Sequence, residues 1–245
     1  MRDENRKSLA GRVLDATVYP LLRPAAARRL RQAAQSCRSL DELIDLATDF
    51  RCGMGRVAVR ITPSQVKSEI RALLDLLTER KPSVLMEIGT NMGGTLFLFA
   101  RVAAADACLV SLDLPGGAFG GGYPDWKAPL FRSFARDRQQ VHLLRMNSHD
   151  PATRERVQAL LAGRRLDFLL IDGDHSYEGV KADFEQYRDF VRKGGLIACH
   201  DIVPGHEARV GGVARFWQEH RSLYPYREFV GSPVQKGFGI GVWFV

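Results

Sequence analysis

From residue 81 onward, short apolar runs rich in branched side chains alternate with stretches of helical periodicity. This alternation is typical of a parallel sheet whose strands are joined by covering helices. We predict strands at residues 84–88, 108–113, 141–145, 166–171 and 196–199. We predict the intervening helices at 95–105, 126–138, 152–161, 177–191 and 212–220. The predicted fold class is therefore α/β, a doubly wound, Rossmann-like sheet.

Two further apolar runs, 226–230 and 238–245, close the chain and are joined by the turn-forming segment GSPVQKG. A parallel connection needs a crossover of about a dozen residues or more, and this segment is too short for one. We therefore expect these last two strands to pair antiparallel.

The first 80 residues have helical periodicity instead, with helices predicted at 9–20, 24–35, 39–48 and 63–79. Thr62 is predicted to cap the last of these, with Pro63 at its first position and Gln65 completing a capping box. We divide the chain into a helical N-terminal extension, residues 1–61, and a main domain, residues 62–245. The glycine-rich segment 114–123 is predicted to be a loop.

Length and composition fit a globular protein of one large domain, or of one domain with an appendage, since the chain has 245 residues and is 45% hydrophobic. No run approaches the roughly 20 apolar residues of a membrane-spanning helix. The start, MRDENRKSLAGR, lacks the apolar core of a signal peptide, so we expect a cytoplasmic protein. The cysteines form no C-x-x-C pair, which favours neither a disulfide framework nor a zinc site; they are Cys37, Cys52, Cys108 and Cys199.

The formal net charge is +7, and the basic excess is concentrated in residues 2–38. Two interpretations of this segment stay open: a solvated helix face packed on the main domain, or a peripheral contact with anionic lipid. No aromatic residue is interleaved with the arginines at 23–31, so we expect no nucleic-acid partner.

The first predicted strand of the sheet runs into the turn EIGTNMGG, and a helix follows directly. Such a turn admits ligands at the carboxyl ends of parallel strands, although a tight connection alone would also use glycines. Asp113 ends the next strand, where an acidic side chain can accept hydrogen bonds from ribose hydroxyls. Asn91 stands where a dinucleotide fingerprint has its second glycine, and no P-loop occurs. These features favour an adenosine cofactor without phosphates.

Acidic and imidazole side chains follow the next two strands: Asp172, Asp174 and His175, then His200 and Asp201. Carboxylates at one sheet edge suit Mg²⁺, which would lower the pKa of a substrate hydroxyl. His175 is placed to accept the hydroxyl proton. Structural alternatives stay open: the aspartates are helix caps, His200 is a hydrogen-bonded loop residue, and His149 and His206 are local turn residues.

The segments VLMEIGTNMGG, VSLDL and LDFLLIDGDHSYEGVKADFEQYRDFVRKGGLIACHDIVPG resemble class I S-adenosylmethionine-dependent methyltransferases. They resemble in particular the metal-dependent O-methyltransferase branch with a D-x-D-H-x-Y motif, which is cephalosporin hydroxylase-like or sugar O-methyltransferase-like. The resemblance covers about residues 60–245 and implies a seven-stranded sheet with a reversed last strand. It implies that the cofactor is bound by Glu87, Gly89, Thr90, Asn91, Gly93, Asp113, Asn147, Ser148 and Asp172.

Within this assignment, Glu87, Gly89 and Asn91 line the methionine and ribose side, and Asn147-Ser148 lies near the adenine. The resemblance also implies metal ligands at Asp172, His200 and Asp201 and a general base at His175. The sequence departs from the family pattern at three of these positions. They are Asn91, where glycine is usual, Asn147, where aspartate is usual, and His200, where an acid or amide is usual. An imidazole at His200 makes Mn²⁺, Fe²⁺ or Zn²⁺ alternatives to Mg²⁺.

We therefore expect a metal-assisted O-methyltransferase that moves a methyl group from S-adenosylmethionine to a hydroxyl of a small molecule or carbohydrate. A sugar is favoured over a catechol because loop 114–126 offers few flat walls, namely Phe119, Tyr123 and Trp126. One alternative is a non-haem iron oxygenase using His175, His200 and one aspartate. Another is a non-catalytic cofactor-binding scaffold. We also expect a homo-oligomer.

Overall fold

The computed structural model describes residues 9–55, 57–116, 122–206 and 210–245. Phe119, the centre of the glycine-rich loop and the first residues of the basic segment lie outside the described residues. The described N-terminal elements are α1 (Leu9–Val13), a π-helical turn (Leu14–Val18), α2 (Tyr19–Ser36), α3 (Leu40–Asp49), β1 (Arg51–Met54) and β2 (Val57–Arg60). The strands β1 and β2 form an antiparallel hairpin.

The main sheet has seven strands within the described residues, in the order β5-β4-β3-β6-β7-β9-β8. They are β3 (Val84–Ile88), β4 (Cys108–Leu112), β5 (Gln140–Leu144), β6 (Leu166–Ile171), β7 (Val191–His200), β8 (Tyr226–Phe229) and β9 (Ile240–Phe244). Strands β3 to β7 are parallel, whereas β9 pairs antiparallel with both β7 and β8. The predicted fold class and reversed last strand are confirmed.

Helices cover both faces of this sheet: α4 (Lys67–Arg80), α5 (Gly94–Val102), α6 (Lys127–Arg132), α7 (Pro151–Leu161), α8 (Tyr177–Tyr187) and α9 (Val213–His220). Every residue of β3 and β4 is buried, as expected for strands covered on both sides. Because side chains alternate along a strand, Leu85 packs in one core with α4 and α5, and Met86 packs in the other with α7, α8 and α9.

The N-terminal extension packs on the first of these cores. Ala26 and Leu30 of α2 and Ile44 of α3 are buried in the same cluster as Phe97 of α5. The boundary at residues 61 and 62 stays a prediction, and the structure adds a hairpin that the periodicity did not predict. Within the described part of the chain, no helix combines the length and apolar character that a membrane crossing requires.

Several predicted helices have different bounds; for example, the helix predicted at 95–105 ends at Val102 and the one predicted at 177–191 ends at Tyr187. The helix predicted at 63–79 begins at Lys67, and Val66 precedes it without a side-chain cap, so the capping role of Thr62 was wrong. Residues 62 and 63 instead pack against Gly94, where an added Cβ would lie 2.1 Å from the Pro63 nitrogen. The helix predicted at 126–138 ends at Arg132. It stops early because the following segment turns back toward α5, where the Arg136 side chain donates to the Ala100 carbonyl at 3.0 Å.

The first two predicted helices, 9–20 and 24–35, are one continuous helical stretch rather than two. The π-helical turn joins α1 to α2, and Pro24 lies inside α2. An interior proline removes one backbone hydrogen bond and can kink or break a helix, but α2 continues through Pro24, so the predicted break does not occur.

Candidate active site

A cavity of about 740 Å³ opens at the carboxyl ends of the parallel strands. It lies at the point where the strand order reverses, with β4 on one side of β3 and β6 on the other. This is the crevice in which open α/β sheets bind ligands. Each of β3 to β7 contributes lining residues from its following loop, among them Gly89, Asp113, Asn147, Asp172 and Asp201.

The turn after β3 requires glycine at its first position. Gly89 has a φ of +94°, and an added Cβ would lie 1.9 Å from the Asp172 carbonyl oxygen. Gly93 has a φ of +83°, and a Cβ there would meet the Phe131 ring. Asn91 also has a positive φ, 45°. Asparagine tolerates this left-handed conformation better than most residues, which explains how it replaces a glycine here.

Asp113 joins this turn to the loop after β4. Its Oδ2 accepts hydrogen bonds from the backbone nitrogens of Thr90 at 3.2 Å and Asn91 at 2.8 Å. Its Oδ1 accepts a third from the Gly122 nitrogen at 2.9 Å. Burial raises the pKa of Asp113, while these backbone donors lower it. The side chain predicted to bind ribose therefore also organises the walls around it.

Glu87 lies beneath the turn, inside β3, and is 1% exposed. Neither carboxyl oxygen has a hydrogen bond of good geometry among the described residues. Burial raises the pKa of Glu87 well above its ordinary value, and the nearby hydroxyls of Thr90 and Ser111 offset only part of this effect. A neutral carboxyl group is the form that such a site favours. Its predicted contact with the cofactor stays a prediction.

The loop after β5 carries Asn147 and Ser148 into the cavity wall. The Asn147 Oδ1 accepts from the His149 nitrogen at 3.0 Å, which forms a local turn. The Ser148 carbonyl accepts from the Tyr187 hydroxyl and from Gln186 Nε2, each at 2.7 Å. Helix α8 thus fixes the loop that was predicted to lie near the adenine.

Two histidines that were expected to be local turn residues also line the cavity, namely His149 and His206. The His149 Nε2 lies 3.3 Å from Oδ1 of Asp183, a fully buried residue of α8. This carboxylate raises the pKa of His149 against the opposing effect of burial.

Asp172, His175 and Asp201 form a group whose ligand atoms lie within 4.8 Å of one another. His175 lies between the two carboxylates, with Nε2 3.6 Å from Asp172 Oδ1 and Nδ1 3.3 Å from Asp201 Oδ2. Two carboxylates and one imidazole are a donor set that suits Mg²⁺ or Mn²⁺. The residues present therefore fit a divalent metal.

His200 is not part of this group within the described chain, although it was predicted to be a ligand. It is 4% exposed, and its Nδ1 lies 3.0 Å from Asp172 Oδ1 and 3.5 Å from Asp201 Oδ2. Its Nε2 is buried without a hydrogen-bond partner among the described residues. His175 thus lies between the two carboxylates, while His200 contacts them through Nδ1. The assignment of His200 as a metal ligand stays a prediction.

The two imidazoles lower the pKa of Asp172, but they do not outweigh the effects that raise the pKa of Asp201. Burial would raise the pKa of Asp172, but His200 and His175 together lower it to about 2. Burial and the charge of Asp172 raise the pKa of Asp201 despite both histidines. Burial lowers the pKa of His200, and Asp172 reverses this effect, so the net shift is upward. The pKa shifts therefore favour an ionised Asp172 beside His200.

Gln65 is a site residue that sequence reasoning assigned to the wrong role. Its Nε2 donates to Asp172 Oδ2 at 2.8 Å, and its Oε1 accepts from the Thr95 hydroxyl at 3.0 Å. It bridges the candidate metal group and the first turn of α5, instead of completing a capping box. A separation of 107 residues between Gln65 and Asp172 leaves no signal in the sequence.

Asp174 and Ser176 share the start of α8. Ser176 is the N-cap, with its side chain accepting from the Gly179 nitrogen at 3.0 Å. Asp174 Oδ1 accepts from the Ser176 nitrogen at 2.8 Å, so it supports the cap without being the cap residue.

The sequence and the fold are both similar to those of known methyltransferases. A sequence model of the family described as "Methyltransferase domain" matches residues 86–202. The chain is 27% identical over 141 residues to a rhamnosyl O-methyltransferase of Mycobacterium tuberculosis, covering 56% of this chain and 53% of that protein. It is 29% identical over 169 residues to the uncharacterized protein y4gI of Sinorhizobium fredii, covering 66% of this chain. The match spans about half of the length of the rhamnosyl O-methyltransferase and 17% of the length of y4gI.

Among solved structures, the fold is similar to that of CalS11, a TDP-rhamnose 3′-O-methyltransferase of calicheamicin biosynthesis. The TM-score is 0.56 at 18% identity, covering 90% of this chain and 93% of that one. An O-methyltransferase from Bacillus cereus in complex with S-adenosylhomocysteine gives a TM-score of 0.52 at 17% identity, covering 88% and 96%. The strand order and the glycine turn agree with the match of residues 86–202 to the family described as a methyltransferase domain.

Proposed function

We propose that the protein transfers a methyl group from S-adenosylmethionine to a hydroxyl of a small molecule, a sugar or glycoside, with the help of a divalent metal. The observation that carries this proposal is the position of Asp172, His175 and Asp201. Asp172 and Asp201 lie close enough to share one ion, His175 lies between them, and all three line the same cavity as the glycine turn. A methyl donor and a metal-held hydroxyl can therefore meet in one enclosed space.

The donor is proposed to bind between the turn after β3 and the loop after β5. Asp113 has used three acceptor positions on backbone N–H groups. The Leu114 backbone also lowers the pKa of Asp113 by hydrogen bonding, so a ribose hydroxyl is proposed to share a carboxylate oxygen that already accepts a backbone N–H. Nothing in the turn requires phosphate, because Asn91 occupies the position where a dinucleotide site keeps glycine. Asn147 and Ser148 are proposed to contact the adenine.

At the acceptor end, Asp172 and Asp201 would hold the metal, with His200 as the ligand that the family resemblance implies. A bound Mg²⁺ or Mn²⁺ lowers the pKa of a coordinated hydroxyl. The His175 imidazole accepts the hydroxyl proton on a ring nitrogen. The oxygen then bonds to the methyl carbon as the sulfur–carbon bond breaks, and the sulfur keeps that electron pair. The products are a methyl ether and S-adenosylhomocysteine.

A sugar acceptor is supported by the names of two similar proteins, both of which are methyltransferases of rhamnose units. The oxygenase alternative needs two imidazoles and one carboxylate at the iron. The group found in the described residues has one imidazole and two carboxylates, which favours the hydroxyl chemistry. A cytoplasmic homo-oligomer without a nucleic-acid partner, and a lipid contact through α2, stay proposals.

Thermal unfolding with S-adenosylhomocysteine tests the donor class, with ATP and NAD as comparison ligands. At a concentration 100 times its dissociation constant, a true ligand stabilises by about 2.7 kcal/mol. Incubation with S-adenosylmethionine, Mg²⁺ and either TDP-rhamnose or methyl rhamnoside is then expected to add one methyl group, detected by mass. Absence of stabilisation by S-adenosylhomocysteine would contradict the proposal. Stabilisation without any methylated product would favour the scaffold alternative.

A further inference from the structure

The loop between β8 and β9, residues 231–239, reaches the cavity beside the candidate metal group. We call it the β8–β9 loop. Lys236, Gly237 and Phe238 of this loop line the cavity together with Asp201 and His206. No role assigned above uses the side chains of the loop.

A buried carboxylate holds the β8–β9 loop in place. Glu69 of α4 is 1% exposed, and its Oε1 accepts from the Gly231 nitrogen at 3.1 Å and from Gln235 Nε2 at 2.6 Å. Its Oε2 accepts from the Gly239 nitrogen at 2.9 Å. Burying a charge is costly unless it is fully hydrogen-bonded, and these three donors meet that condition. Both ends and the middle of the loop are thus tied to one side chain.

The same loop is tied to the candidate metal group. Asp201 Oδ1 accepts from the Phe238 nitrogen at 3.0 Å, while its Oδ2 faces His175 Nδ1 at 3.3 Å. One carboxylate therefore fixes the position of residue 238 relative to the atoms that would meet the acceptor hydroxyl.

Phe238 is held in a conformation that a bulky residue rarely adopts. Its φ is +61°, in the left-handed region, and the residue is 37% exposed and lines the cavity. Its ring centroid lies 6.1 Å from that of His200. Backbone strain of this kind persists where the surroundings enforce it, and it clusters at ligand-binding positions. The ring is too exposed for the hydrophobic core to be its main role.

We infer that Phe238 is an acceptor-binding residue whose ring packs against the C–H face of a pyranose, and that Glu69 is the positioning residue that holds it there. This inference rests on the proposed function. The ring is apolar, whereas other residues of the cavity wall, among them His206, Lys236 and Asp201, are polar or charged. A sugar matches this mixture, because it offers an apolar face together with hydroxyls, whereas a catechol is flat and apolar on both faces.

Saturation-transfer difference NMR with methyl α-rhamnopyranoside, in the presence of S-adenosylhomocysteine and Mg²⁺, tests the contact without turnover. Irradiating aromatic protons of the wild-type protein is expected to saturate the sugar C–H protons, and Phe238→Ala is expected to lose most of that signal. Val234→Ala is the matched control, because Val234 lies in the same loop, is 83% exposed and is not a cavity-lining residue. An unchanged sugar signal in Phe238→Ala, or saturation of catechol in place of the sugar, would overturn the inference.

Phe238→Gly separates the ring from the backbone strain. Both Phe238→Ala and Phe238→Gly remove the ring, but glycine adopts a positive φ without strain. We therefore expect Phe238→Gly to unfold at a higher temperature than Phe238→Ala, while both raise the acceptor KM about tenfold, the equivalent of one lost apolar contact. The reverse order of unfolding temperatures, or an acceptor KM within twofold of wild type, would count against it.

Glu69→Gln tests the positioning role, with Glu79→Gln as the control at an exposed position of the same helix. Placing an amide opposite a backbone N–H is expected to raise the acceptor KM, leaving kcat and the affinity for S-adenosylhomocysteine within threefold of wild type. If Glu69→Gln fails to fold, Gln235→Ala removes one of the same hydrogen bonds from the loop side. If kcat falls, KM rises and cofactor affinity falls by similar factors, the variant disturbs the whole site. That result would overturn the positioning role of Glu69. Failure of the proposed function would appear differently, as absence of cofactor binding in the wild-type protein.

Discussion

The change Asp113→Asn separates the two roles that the structure combines in one side chain. The carboxylate accepts three backbone hydrogen bonds from Thr90, Asn91 and Gly122. Asparagine keeps the size of the side chain but replaces one acceptor oxygen with an NH₂ donor. We expect the amide to direct its NH₂ toward Gly122, because that orientation loses one bond while the opposite orientation loses two.

The cost to folding is expected to be modest. Losing one hydrogen bond to a charged acceptor costs about 1.5–3 kcal/mol of unfolding free energy. Burial raises the pKa of Asp113, so removing its charge recovers part of this cost, and we expect the loss near the lower end. The cost to binding has the same origin but no such offset. Losing the ribose hydrogen bond is expected to weaken S-adenosylhomocysteine binding by about 1.5–3 kcal/mol, which is roughly 10- to 150-fold in Kd.

Titration calorimetry with S-adenosylhomocysteine measures the affinity, at a temperature where circular dichroism shows both proteins folded. Asp106→Asn is the matched control, because Asp106 is an exposed acid that precedes β4, at the opposite end of the same strand. The control is expected to bind the ligand as the wild type does. A folded Asp113→Asn protein whose affinity stays within twofold of wild type would refute the assignment of ribose to this carboxylate.

Three other predictions concern the metal group and one structural ion pair. Chelation with EDTA is expected to abolish methyl transfer, and added Mg²⁺ or Mn²⁺ is expected to restore it in the wild-type protein but not in Asp172→Ala or Asp201→Ala. Full activity in enzyme that is verified to be metal-free would contradict this prediction. His175→Ala is expected to lower the single-turnover rate by about 10²–10⁴-fold with unchanged cofactor affinity, and a rate within threefold of wild type would show that His175 is not the base. Burial raises the pKa of Asp167, but Arg192 and backbone donors lower it further, for a net downward shift. The stability that Asp167 contributes is therefore present above its unfolded pKa of about 3.9 and is lost as the pH falls below that value. The difference in unfolding free energy between wild type and Asp167→Asn should accordingly shrink in acid.

The order and type of the main-sheet elements followed from local patterns. Strand β6 was predicted with the observed bounds, Leu166–Ile171, because a fully buried parallel strand is a continuous apolar run between polar boundaries. The antiparallel pairing of β8 and β9 followed from the length of the connection alone. The hairpin β1–β2 was missed because its four-residue strands are too short for an alternation to be recognised.

At the site, sequence reasoning identified residues that immediately follow strands, because the carboxyl ends of parallel strands must meet at one edge. It therefore found Asp113, Asp172 and Asp201. It assigned Gln65 to a helix cap and gave Glu69 no role, since their partners lie 107 and more than 160 residues away.

The sequence by itself determined the sheet, the glycine turn and the set of strand-end side chains, because each depends on residues that are neighbours along the chain. Only the tertiary structure decided how those side chains are used. It directs His200 Nδ1 toward Asp172 and places His175 between the two carboxylates. It also holds Phe238 at the cavity through Asp201. The direction of a side chain depends on the packing and hydrogen bonds of residues distant in the chain, and a linear pattern does not contain that information.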